Sequence, residues 1–583
     1  MKFLKTFFAS LLGTGVALFA ALFLLIGVIS SLASFASTEE IIPEKAILTI
    51  DLSTGITDQS AEDFDFQQLL SGGQGMIKSI GVYDVVRAID LAANDPAIPF
   101  IYIKCDNPAT SIAMAEEVRN ALIRFRLSGK PVIAYADNYT QGSLYLASVA
   151  DKIYTAPLSQ SMILGLSSQI MFLKDLFDEL GIDIQLIRHG KYKSAGEQFI
   201  ASNISEANRE QQEAYLKGMW TAIAKPICES RQLDLASFNQ LVNDMKLSSS
   251  EDLVKAGLVD EIVTREAMRA SICNLYGTED PEKVQYVDIN TYANQRIQEN
   301  LKIKDKVAIL YAVGSINGAD GEGITTNPMV REIRKIREDK DVKAVVLRVN
   351  SPGGNAQTAE IIRKELALLA AEKPMIASYG DYAASGGYWI SAGAEKIYTN
   401  ATTLTGSIGV FSMIPNVGKA VRKITRINPV SVTTHKHSDM GMMRGLDRTE
   451  TNTLQASVDD IYDQFVQLVA DGRSMSTDAV DAIAQGRVWC GEDAIQINLA
   501  DEIGGLNEAV QYAAIAAGLE EYRVCEFPKA KTGVEKIMES FNNVSITFET
   551  ISNPEQMIER LQETVAGQQV YARLPYVVLQ NNW

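Results

Sequence analysis

Two short stretches place a hydroxyl and uncrowded backbone amides where acyl chemistry could use them. In Asp381-Tyr382-Ala383-Ala384-Ser385-Gly386-Gly387-Tyr388, Ser385 follows a strand and opens an apolar helix. Backbone N–H groups and the positive end of the helix dipole at such an entrance lower the energy of an alkoxide or of a neighbouring oxyanion. In Asn350-Ser351-Pro352-Gly353-Gly354, a glycine turn closes the strand VVLRV and can present its amides to an oxyanion. Taken alone, each stretch also reads as an ordinary helix cap or strand-to-helix turn. Neither matches GxSxG, so the nucleophile elbow of an α/β-hydrolase is not indicated.

A serine nucleophile needs a base, and the chain has only three histidines, His189, His435 and His437. A lysine serves if burial strips its proton and leaves a neutral amine. The segment IDIQLIRHGKYKSAGEQF (182–199) offers Lys191 and Lys193, two residues apart and therefore on one face if its strand continues. Periodicity does not choose between them. His437 is a competing base. His435 and His437 lack a third nearby ligand, so no metal is expected, and nothing calls for a cofactor. Five scattered cysteines form neither a zinc pattern nor a disulfide framework.

These residues sit in a duplicated chain. At an offset of 244, Val86, Arg87, Ile89 and Asp95 meet Val330, Arg331, Ile333 and Asp339, and the run KIYT at 152–155 meets KIYT at 396–399. Farther on, Asp260-Glu261-Ile262 meets Asp501-Glu502-Ile503. The copies differ where chemistry is expected: Gln141 stands opposite Ser385, and Ala109 and Thr110 stand opposite Gly353 and Gly354. Residues needed only for folding should recur in both copies, so the second copy carries a nucleophile and an oxyanion turn that the first lacks.

Each copy alternates short β-branched runs (307–313, 342–349 and 374–378 in the second) with amphipathic helical stretches such as 358–371. That alternation predicts an α/β fold with mainly parallel sheet. The expected organisation is a membrane anchor over 1–40, one repeat over 41–280, a polar linker over 281–304, a second repeat over 305–529 and a tail over 530–583.

Thr6 to Thr38 carries no charge, and its Phe7 to Ile29 part is long and apolar enough to span a bilayer. Lys2 and Lys5 precede it and Glu39 and Glu40 follow, which holds the N-terminus in the cytoplasm and exports the rest. In a bacterial cell this predicts a single-pass inner-membrane protein with a periplasmic body. A net charge of −18 with no basic block argues against nucleic acid as a partner.

AASGGYWISAGAEKIY, TLTGSIGV, RVNSPGG, GKYKSAGEQF and GRVWCGEDAIQINLADEIGG together resemble the long, tandem-repeat form of the signal peptide peptidase A (protease IV) family. The resemblance implies a crotonase-like unit in each repeat and a Ser/Lys dyad, with Ser385 as nucleophile and Lys193 of YKSA as general base. It implies Ser407 of TGSIGV as the hydroxyl that coordinates the lysine, and oxyanion amides at Gly353 and Gly386 with Gly354 adjoining. It further implies hydrolysis of apolar peptides such as signal-peptide remnants, and a homo-oligomer, a tetramer in this family. Two other functions fit parts of the pattern: a membrane scaffold in which Ser385 is a helix cap, and a crotonase-like acyl-CoA enzyme.

Overall fold

The computed structural model describes residues 13–16, 19, 42–64, 76–318, 323–530, 570–573 and 579–580. The expected anchor lies almost wholly outside them. Among the described residues no helix is long and apolar enough to cross a membrane.

The β-branched and alanine-rich runs form two sheets of matching order. The first runs Glu261–Ile262, Lys152–Thr155, Val132–Ala136, Ile101–Lys104, Ile47–Asp51, Tyr286–Asp288, with every neighbour parallel. In the second, Glu502–Ile503, Lys396–Thr399, Met375–Ala384, Val342–Ser351, Lys306–Val313 and Arg523–Phe527 repeat that order, again in parallel. Leu404–Gly406 and the antiparallel Val488–Cys490 extend the far end of the long strand Met375–Ala384. Both faces of such a sheet must be covered. Val82–Asn94 and Ile112–Leu127 cover one face of the first sheet and Arg265–Tyr276 the other, while Thr326–Glu338 and Ala356–Ala370 cover one face of the second and Leu506–Ala516 the other.

This order corrects the expected linker at 281–304. Tyr286–Asp288 is the edge strand of the first sheet, the counterpart of Arg523–Phe527 in the second, and Ile289–Arg296 is a helix whose Ile289, Tyr292 and Ala293 are buried. The stretch looks polar because a short edge strand and a one-faced helix need few apolar residues.

A third sheet joins the repeats. Asp183–His189 of the first pairs antiparallel with Val410–Asn416 of the second, from Val410 opposite His189 to Asn416 opposite Asp183. A buried ionic cluster also crosses the junction between the repeats. The Arg348 guanidinium, on the central strand of the second repeat, meets Asp58 at 2.8 Å and Glu117 at 2.8 Å, both from the first. Glu116, one residue earlier, accepts hydrogen bonds from the amides of Ala401 and Thr402 across the same junction.

Candidate active site

Ser385 ends the strand Met375–Ala384 and sits before the helix Gly386–Ser391. Its φ of 57° and ψ of −115° are strained for a residue with a side chain. The turn is sharp because the Ser385 amide is held by the Gly406 carbonyl at 2.8 Å while the next peptide already starts the helix. The hydroxyl makes no capping bond to that helix, which removes the helix-cap role for it.

The Lys193 Nζ lies 2.8 Å from the Ser385 Oγ, although the two residues are 192 positions apart in sequence. The same Nζ donates to the Ser407 carbonyl at 3.1 Å and lies 3.0 Å from the Ser407 Oγ. Lys193, Ser385 and Ser407 are all 0% exposed. Burial pushes the Lys193 ammonium well below the usual lysine range. The two lysines do not share a face, contrary to the expectation from a continued strand. The strand stops at His189, Gly190 turns with φ 111°, and the chain passes beneath Gln485, whose carbonyl accepts the Tyr192 amide at 2.8 Å. Lys191 is left in solvent beside Tyr192 and Glu210, and Lys193 is carried inward.

Two glycines that sequence reading missed make this passage possible. A Cβ on Gly486 would stand 2.6 Å from the Lys193 Cβ, and one on Gly409 would stand 3.2 Å from its Cδ. The signal for Gly409 was present, since Gly165 occupies its place in the first repeat. There Gln141, opposite Ser385, pairs with both backbone groups of Gly165 at 3.1 Å, so an amide side chain satisfies the ground that the dyad occupies in the second repeat.

Of the expected oxyanion amides, that of Gly353 donates to the Ser351 Oγ at 3.2 Å. The Gly353 carbonyl accepts from Ile316 N at 3.0 Å and the Asn355 amide donates to Ile316 O at 2.8 Å, which turns both polar groups of Gly354 toward the opposite edge, on the Ser385 side. A Cβ built on Gly386 would lie 3.1 Å from the Gly354 nitrogen, so the Gly354 and Gly386 amides stand together beside the nucleophile. Gly353, at φ 88°, is needed for room: a Cβ there would stand 2.5 Å from the Gly386 nitrogen.

His437 is not brought to Ser385. Its Nδ1 lies 2.8 Å from Glu450, in a group with Asp447 whose central carboxylate is already bound by the Arg444 guanidinium at 2.6 and 2.7 Å. His435 faces Thr434, and His189 is stacked on Tyr462 and bonded to Asp459 at 2.7 Å.

Such an arrangement can move a proton from the Ser385 hydroxyl to the Lys193 amine and hold an oxyanion on two amides, which is the chemistry of acyl transfer. Comparison with known proteins points the same way. The profile of peptidase family S49 matches residues 124–278 and 367–520, once in each repeat. Protease 4 of Haemophilus influenzae is 34% identical over 510 residues, which covers 85% of this chain and 83% of that protein. Protease 4 of Salmonella typhi is 33% identical over 513 residues, 85% of this chain and 82% of that protein. A protein of Enterococcus faecium, provisionally named signal peptide peptidase SppA, is 33% identical over 226 residues, 39% of this chain and 66% of its own length.

Proposed function

This chain belongs to peptidase family S49, and we propose that Ser385 and Lys193 are the nucleophile and general base of a serine endopeptidase that degrades cleaved signal peptides and other apolar peptides. The observation that carries the reading is the buried 2.8 Å contact between the two side chains. A neutral amine has two N–H groups and one lone pair. With the Ser407 carbonyl and hydroxyl accepting the N–H groups, the lone pair is left for the Ser385 proton. The alkoxide then adds to a peptide carbonyl, Gly354 and Gly386 hold the oxyanion, Lys193 protonates the leaving amine, and water hydrolyses the ester.

The two sheets of matching order, with helices packed on both faces, support a crotonase-like unit in each repeat. The uncharged stretch Thr6–Thr38, with lysines before it and glutamates after, supports an anchor that places the body on the periplasmic side of a bacterial inner membrane, where signal-peptide remnants arise. Apolar side chains standing in solvent, Ile424, Ile427, Val430 and Val432, support further copies of the chain as partners in an oligomer. The test is a serine-directed acylating probe together with hydrolysis of a synthetic signal peptide. Wild type should be labelled on Ser385 and cut the peptide, and Ser385→Ala should do neither. Unlabelled Ser385 in a folded wild-type protein that still cuts the peptide would overturn the assignment of Ser385 as the nucleophile.

A further inference from the structure

The sheet that joins the repeats runs in the order Gly353–Asn355, Val570–Arg573, Val410–Asn416, Asp183–His189, and His189 ends its outer strand. The chain then turns at Gly190 and passes Lys193 outside any strand or helix, since the next helix begins at Glu197. A lysine amine stands on a flexible four-carbon stem, so it meets the Ser385 hydroxyl only if the backbone beneath it is fixed by its neighbours.

One loop of the second repeat supplies that fixing. The Gln485 carbonyl accepts the Tyr192 amide at 2.8 Å, the Gly486 amide donates to the Ile408 carbonyl at 2.7 Å, and the Arg487 carbonyl accepts the Ser407 amide at 2.7 Å. The loop therefore holds Lys193 and the serine that coordinates it against each other. It lies close over the turn: a Cβ on Gly190 would stand 2.5 Å from the Gln485 carbonyl carbon.

Tyr462 holds the loop in turn. Its hydroxyl accepts the Gln485 backbone amide at 3.3 Å and the Gln485 side-chain amide at 3.1 Å, and it donates to Asp481. His189 lies flat on the Tyr462 ring, with centroids 3.8 Å and planes 12° apart, and its Nδ1 donates to the Asp459 carboxylate at 2.7 Å. That bond holds the Asp459 carboxyl below the usual carboxylate range, so an ionised acceptor is in place. Asp459 and Tyr462 stand one turn apart on the helix Arg448–Arg473, and together they fix both the position and the tilt of the imidazole. At the offset of 244, Thr433 stands opposite His189 and His437 opposite Lys193, so this imidazole is present only in the copy that carries the base.

We propose that His189 is a positioning residue for the general base: with Asp459 and Tyr462 it clamps the Gln485–Arg487 loop over the passage from Gly190 to Lys193, and so sets the approach of the amine to Ser385. The inference rests on the serine-peptidase reading of that pair. Without the clamp the loop lifts, the amine drifts from the hydroxyl, and water reaches it. Burial is what holds the Lys193 ammonium well below the usual lysine range, so entry of water returns it upward.

Steady-state hydrolysis of a synthetic apolar peptide across pH tests this, with urea unfolding to confirm that each variant is folded. His189→Ala should lower kcat on the order of tenfold with KM unchanged and move the acid limb of kcat/KM to higher pH. Tyr462→Phe, which keeps the ring and deletes the hydroxyl that holds Gln485, should do the same. Because both act through one loop, the double variant should lose no more than the worse of the two single ones. His189→Phe keeps the stack without the bond to Asp459 and should recover part of the loss. If His189→Ala does not fold, His189→Phe and Tyr462→Phe carry the same test. Undiminished kcat in folded His189→Ala, an acid limb that stays in place while kcat falls, or losses that multiply in the double variant would each reduce His189 to packing and overturn the proposal, leaving the peptidase reading standing. A wild type that does not hydrolyse the peptide removes both.

Discussion

Val410 stands opposite His189 at one end of an antiparallel ladder that continues to Asn416 and Asp183 and stitches one repeat to the other. Lys193 follows four residues after His189, and Ser407 lies three residues before Val410. The ladder therefore fixes the lysine and the serine that coordinates it from its two strands at once. A site built this way depends on the pairing of repeats, so each repeat could lose half the chemistry after duplication without losing its fold.

Lys193→Ala should fold and lose peptide hydrolysis by about 10²–10⁴-fold in kcat/KM, the usual contribution of positioned proton transfer. Lys193→Arg should be no better, because a guanidinium stays charged at any working pH. Steady-state hydrolysis of a synthetic apolar peptide measures both, and substantial activity in the arginine variant would remove the neutral base from the mechanism.

Ser407→Ala leaves the Ser407 carbonyl in place at 3.1 Å from the amine and deletes only the hydroxyl at 3.0 Å. Loss of one hydrogen bond of about 0.5–1.5 kcal/mol should lower kcat roughly two- to tenfold with KM unchanged. A change confined to KM would mean that Ser407 touches the substrate and does not position the amine.

Much of this was readable from residue types. The duplication, the alternating strands and helices, and the asymmetry between Ser385 and Gln141 all lie on the surface of the sequence. What could not be read depends on contacts distant in the chain. Lys191 and Lys193 look alike until Gly190 turns the strand under Gln485, and the Gly353 amide looks available until Ser351 claims it. The strand at Tyr286–Asp288 was hidden by its polar surroundings, and Val570–Arg573 by its distance from the strands it joins.

The lone arginine in the apolar run VKAVVLRV marks another long-range dependence. Arg348→Met should leave Asp58 and Glu117 buried without their counter-charge and cost about 3–5 kcal/mol of stability at neutral pH. Burial already raises the Glu117 carboxyl above its ordinary value despite Arg348. Without the guanidinium it should bind a proton more readily still, so the deficit should shrink as pH is lowered. Urea unfolding at two pH values checks this, and a deficit independent of pH would exclude a charge origin.

The buried amine also sets a pH window that can be measured twice. Lys193 titrates well below 10.5 when folded, because burial disfavours its charged form, and near 10.5 once unfolding returns it to water. Between those two values the unfolded chain binds one more proton than the folded chain, so the stability of wild type relative to Lys193→Met should rise with pH across the window and level off above 10.5. The lower edge of that rise is the folded pKa of the free enzyme. It should coincide with the acid limb of kcat/KM, where deprotonation of the same amine switches hydrolysis on. Melting temperatures of the two proteins and a kinetic pH profile of wild type therefore report one number by independent routes. Parallel melting profiles, or an acid limb displaced from the rise in stability, would show that the group controlling activity is not Lys193.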